Sequence, residues 1–144
     1  MLKLTLLLAS MMTMMAGAVV SPSLPQIGEV FADVQYSALL TRLVITLPAL
    51  FIAISSPFYG KLSDTIGRKK LFVFSLVLYA IGGSSGYYLE NIYLILLGRM
   101  ILGTAVGGIM TLTLALIGDF LEGKERTAFI GLRGAFVGLG GVFF

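Results

Sequence analysis

Apolar residues in this sequence run in blocks, and each block is about as long as a bilayer is thick. Mostly apolar runs occupy 4–20, 43–59, 71–89, 92–117 and 127–144. A helix needs about 20 mostly apolar residues to cross the hydrocarbon core. The runs keep neither helical nor strand spacing, as the surface elements of a soluble core would. Charged residues make up only 12% of the chain, about half of what a soluble domain carries. The expectation is an all-α fold, a polytopic transmembrane helix bundle. All 144 residues belong to one transmembrane unit, with spans at 4–20, 41–59, 71–89, 92–117 and 127–144.

The connections between spans sort by charge. Seven of the ten cations fall in the N-terminus, the second connection and the fourth: Lys3, then Lys61, Arg68, Lys69 and Lys70, then Lys124 and Arg126. The first and third connections hold Glu29, Asp33 and Glu90 and no cation. Cytoplasmic loops carry the excess of Lys and Arg. The N-terminus, "GKLSDTIGRKK" and "DFLEGKER" are therefore expected in the cytoplasm of a multi-pass protein of the cell (inner) membrane. The start mimics a secretory signal, with Lys3, an apolar run and Ala16-Gly17-Ala18. That run is as long as a span, so it reads as a retained helix.

Two absences limit the chemistry. The chain has no Cys and no His, which removes thiolate ligands and nucleophiles, the commonest general base and the commonest metal ligand. No catalytic residues, metal site or cofactor are expected. The net charge of +3 sits beside membrane spans, so nucleic acid is not an expected partner. The expected partners are the lipid bilayer and a small molecule. Pro48 and Pro57 lie inside the second span, which membrane helices tolerate when neighbours satisfy the freed carbonyls. Gly82, Gly83 and Gly86 in the third span, and Gly103, Gly107 and Gly108 in the fourth, read as faces for close helix packing.

The stretch 60–70, "GKLSDTIGRKK", concentrates charge and glycine between two apolar spans. A tight reversal accounts for part of it. Gly60 and Gly67 permit backbone angles or close approach that a side chain would block, and Arg68, Lys69 and Lys70 suit an anionic inner leaflet. Asp64 is not needed for topology, yet it stands four residues before Arg68 and can pair with it. A phosphate-binding loop is excluded, because Lys does not follow Gly67.

Read as Gly-x-Leu-x-Asp-x-x-Gly-Arg-Lys, this loop resembles the signature motif of the major facilitator superfamily. Gly60, Leu62, Asp64, Gly67, Arg68 and Lys69 match, while Thr65 departs where a basic residue is usual. "LLGRMILGTAVGG" in the fourth span is similar to the family's second motif at Arg99 and Gly103, with Leu102 in place of a common Gln. "GDFLEGKER" resembles the end of that span at Asp119 and Arg126. The resemblance implies the N-terminal part of a fold of two six-helix halves around a substrate path, rocking between inward-open and outward-open states. It also implies a conformational latch formed by Gly60, Asp64, Gly67, Arg68, Lys69 and Asp119. Such proteins have about twelve spans, so the resemblance implies a partner for this chain, a missing C-terminal half. We expect the chain to be a fragment of a longer transporter.

Three arginines lie in or beside apolar spans. A charge at mid-bilayer costs at least ~2.5–3.5 kcal/mol, so such a residue reads as functional by default. Arg42 stands at the outer end of the second span, where it can snorkel to the headgroups. Arg99 lies roughly 11 Å into the fourth span and Arg133 roughly 9 Å into the fifth, at 1.5 Å per residue. No Asp or Glu lies inside any span, so neither has an evident local counter-ion. Arg99 and Arg133 are the expected residues of the substrate path or its coupling. The fifth span keeps the Gly134 and Gly138 spacing of drug–proton antiporters but lacks their Pro. The resemblance implies secondary active transport of a small molecule by alternating access, as efflux of drugs or metabolites. The alternative is an accessory or structural membrane subunit. An enzyme is not expected, since no base is available for Ser or Tyr chemistry.

Overall fold

The computed structural model describes residues 1–18, 22, 24–88 and 91–143. Expected span ends at 19–20, 89 and 144, and the loop residue Glu90, lie outside the described residues. The described residues form six α-helices: α1 (Leu2–Ala18), α2 (Leu24–Val30), α3 (Ser37–Ile66), α4 (Arg68–Tyr88), α5 (Ile92–Phe120) and α6 (Gly123–Phe143). The fold is an all-α helix bundle. Among the described helices, α3 and α5 are long and apolar enough to cross a bilayer.

Helix boundaries differ from hydropathy in one instructive place. The polar stretch 60–66 is the last part of α3 and not a loop. Its residues form a helix as readily as the apolar ones before them, because hydrogen bonding along a helix does not depend on side-chain hydropathy. The break is confined to Gly67, at φ +98° and ψ 135°, a conformation open to Gly and costly for other residues. Gly67 N–H still donates to Ser63 O at 3.2 Å, and Gly67 O accepts from Leu71 N–H at 3.2 Å. One residue therefore joins α3 to α4. The fourth connection is similarly short: α5 ends at Phe120, and Gly123 at φ +55° opens α6. The first connection contains α2, which no apolar run marks; Glu29 within it and Asp33 beyond it are exposed.

The core forms around α5. Leu102, Ala105, Val106, Ile109, Leu112, Leu116 and Ile117 of that helix are all buried. Glycines let two helices approach it closely. A Cβ on Gly103 would stand 2.6 Å from Pro48 O of α3, and one on Gly82 of α4 would stand 2.7 Å from Leu102 N of α5. Gly108 faces Ser75 of α4 and Tyr59 of α3 in the same manner. These are the small-residue contacts that hold membrane helices together where no hydrophobic drive exists between them. Ser55 and Ser56 Oγ both donate to Ile52 O within α3, at 3.4 and 2.6 Å.

On the other side, α1 covers α5 with Leu6, Leu7 and Ala9, which join the same apolar cluster. Helix α6 meets the bundle chiefly through α1 and scarcely touches α5. A Cβ on Gly140 would stand 2.9 Å from Met11 O, so that seam is also glycine-dependent. The chain thus folds as a group of α3, α4 and α5, with a paired α1 and α6 docked on it.

Candidate functional site

The N-terminus of α1, the C-termini of α3 and α5, and the N-termini of α4 and α6 meet at one end of the bundle. Arg68, the first residue of α4, lies at the centre of this end. Its Nη1 is ion-paired with Asp119 Oδ1 in the last turn of α5 and donates to Ala115 O, one turn back, at 3.1 Å. Its Nη2 stands 3.8 Å from Asp64 Oδ1 in the last turn of α3, beyond hydrogen-bonding distance. The cation also faces the C-terminal ends of α3 and α5, where the helix dipoles place partial negative charge. Three helices are thereby clasped at one guanidinium.

The structure brings Asp64, Arg68 and Asp119 together, with Gly67 supplying the turn between the first two. Lys69 is exposed beside them and joins no ion pair among the described residues. Gly60 has open space where a Cβ would go, so among the described residues it serves neither a close approach nor an unusual backbone angle. The Ala115 carbonyl was not foreseen, although it lies one turn before Asp119 and therefore on the same face of α5. A second pair at this end, Lys3 with Glu125, ties α1 to α6.

The two arginines inside the bundle lie apart from the clasp. Arg99 of α5 is half-buried and within electrostatic reach of Tyr79 on α4. The Tyr79 hydroxyl itself donates to Met12 O of α1 at 2.7 Å. Arg133 of α6 donates from Nε to Ser10 Oγ of α1 at 2.9 Å. It lies ten residues past the first residue of α6, roughly 15 Å along the helix. Neither Tyr79 nor Ser10 stands out in the sequence, because one hydroxyl in an apolar run is common and its partner lies far away in the chain. Arg42 is exposed on the first turns of α3. An apolar cavity of about 190 Å³ opens between α1, α3 and α5, lined among others by Thr13, Met14, Val44, Pro48, Ile52 and Val106. Among the described residues no His, Cys, Asp and Glu group is arranged to hold a metal.

The family model of the Major Facilitator Superfamily matches residues 6–144. The chain belongs to this superfamily. Its members form a class of membrane transport proteins, and the chain is a membrane protein with transmembrane helices of that class. It is 42% identical over 88 residues, 61% of its length, to an MFS-type transporter of Aspergillus terreus (strain NIH 2624 / FGSC A1156), covering 15% of that protein. It is 29% identical over 136 residues, 94% of its length, to the MFS-type transporter gkaD of Penicillium citrinum, covering 22% of it. With multidrug resistance protein 3 of Bacillus subtilis (strain 168) it shares 28% identity over 141 residues, 96% of its length and 26% of that protein. The facilitator chain thus spans about a quarter or less of the length of these relatives.

Proposed function

We propose that the protein carrying this segment is a secondary active transporter that exports small molecules by alternating access. The observation that carries this reading is the clasp at Arg68. A single cation holds the ends of α3, α4 and α5, where a plain basic turn would leave it to the lipid headgroups. In this reading the clasped end is cytoplasmic, Gly60, Asp64, Gly67, Arg68, Lys69 and Asp119 form the latch, and breaking the cluster accompanies the change of state. The weak Asp64 contact is the part free to exchange partners, since 71% of that side chain is exposed. Arg99 and Arg133 lie on the substrate path, with helices equivalent to the rest of the relatives completing it. The name of the Bacillus relative, multidrug resistance protein 3, supports export.

The test is dye retention in cells expressing the full-length protein, normalised to the amount in the membrane. Expressing cells should retain less of at least one dye than cells with empty vector. Asp64→Asn should lose most of this activity with insertion unchanged. Arg99→Lys should lose most of it as well, because an ammonium cannot reproduce the planar fork of donors. Equal retention with and without the protein across cationic, anionic and neutral dyes would overturn the reading.

A further inference from the structure

Arg133 is a cation within an apolar bundle whose contacts leave most of its donors unused. A guanidinium has five N–H donors, and Nε gives one to Ser10 Oγ at 2.9 Å. Among the described residues no other group accepts from it. Ser10 is fully buried, and its own proton is committed to Leu6 O at 2.8 Å. The hydroxyl therefore presents only its lone pairs to Arg133. Such an arrangement fixes the Nε edge of the guanidinium and leaves the Nη edge to face elsewhere.

Two further features say what that edge would meet. The guanidinium is only half-buried, and beside it a Cβ on Gly134 would find nothing within 4 Å. The Nη edge is therefore reachable. A charge inside a membrane bundle is stable when an opposite charge accompanies it, and a planar fork is matched best by a carboxylate. No Asp or Glu occurs within the apolar runs of this chain.

Resting on the transport reading above, we propose that Arg133 receives a carboxylate on its Nη edge and that Ser10 is its positioning residue. The favoured ligand is an apolar molecule bearing one carboxylate. The same chemistry could come from a carboxylate side chain elsewhere in the full-length polypeptide.

Binding to the purified full-length protein in lipid nanodiscs tests this without turnover, so a failure of transport and a failure of this site are distinguishable. The probe is 11-(dansylamino)undecanoate, an apolar molecule with one carboxylate, read by its fluorescence enhancement over empty nanodiscs, with thermal unfolding measured in parallel. Arg133→Gln should weaken binding by about tenfold or more, the loss expected when a hydrogen bond to a charged group goes. Ser10→Ala should weaken it by about threefold, less than Arg133→Gln because only the positioning contact is lost, and Ser10→Thr should keep the wild-type affinity. A merely structural serine would change the melting temperature and leave the affinity alone. If the wild type binds no probe, a polypeptide carboxylate is the source only where Arg133→Gln lowers the melting temperature and neutralising one Asp or Glu elsewhere restores it. Equal probe affinity in wild type and Arg133→Gln would overturn the proposal. So would the absence of both probe binding and such a rescue.

Discussion

Asp119 and Asp64 both stand beside Arg68, yet the first is in direct contact and the second is 3.8 Å away with its side chain mostly in solvent. An exposed pair of the second kind is worth about 0–1 kcal/mol. Hydrogen bonds to a charged group that is partly shielded reach about 1.5–3 kcal/mol, and the half-exposed Asp119 belongs at the lower end of that range. In the full-length protein, Asp119→Asn should therefore lower the melting temperature more than Asp64→Asn. The gap should narrow as salt is raised. Thermal unfolding in detergent at low and high ionic strength measures both effects, and the opposite order would contradict the geometry. These three charged residues were legible because charge is conspicuous amid apolar sequence. Ser10 and Tyr79 were not, since nothing local distinguishes a hydroxyl that meets a partner from one that bonds its own helix. Ser10 in fact does both.

At the level of the helix, α3 and α6 extend beyond the apolar runs that mark them. Helix α3 runs on to Ile66, past the apolar run that ended at 59, because helix formation persists through Gly60-Lys61-Leu62-Ser63-Asp64. Helix α6 likewise begins at Gly123, four residues before its apolar run. The packing glycines of α5 were legible from their spacing, but which helix each one meets was not. That depends on how α3 and α4 cross α5, and no local pattern encodes it. Gly103→Val should separate α3 from α5, since even its Cβ would stand 2.6 Å from Pro48 O. Overpacking of this type costs about 1–3 kcal/mol. Gly131→Ala makes a useful contrast, because a Cβ there meets nothing within 4 Å and Ala favours a helix over Gly by about 0.5–1 kcal/mol. Melting temperatures and monodispersity of the two purified variants should diverge accordingly. Equal behaviour would mean that the Gly103 contact relaxes freely.

For the whole molecule, the all-α bundle and its grouping of charge at one end follow from the succession of apolar runs and the bias of cations to alternate connections. Reporters fused after Lys70 and Lys124 should both read cytoplasmic, and one fused near Asp33 should read external. A split between Lys70 and Lys124 would contradict the common end at which α4 and α6 begin. The order of neighbours in the bundle was not legible, because it is set by contacts between distant segments. Helix α1 pairs with α6 through Lys3 and Glu125, 122 positions apart, while α3, α4 and α5 follow one another in the chain and pack together. That arrangement has a consequence for biosynthesis. At about 5–20 residues per second, the first helix leaves the ribosome roughly 5–20 s before its eventual neighbour begins to emerge. During that interval the face of α1 that carries Ser10 has no native cover. A factor that shields it within the insertion machinery, or a slow late docking, must bridge the wait.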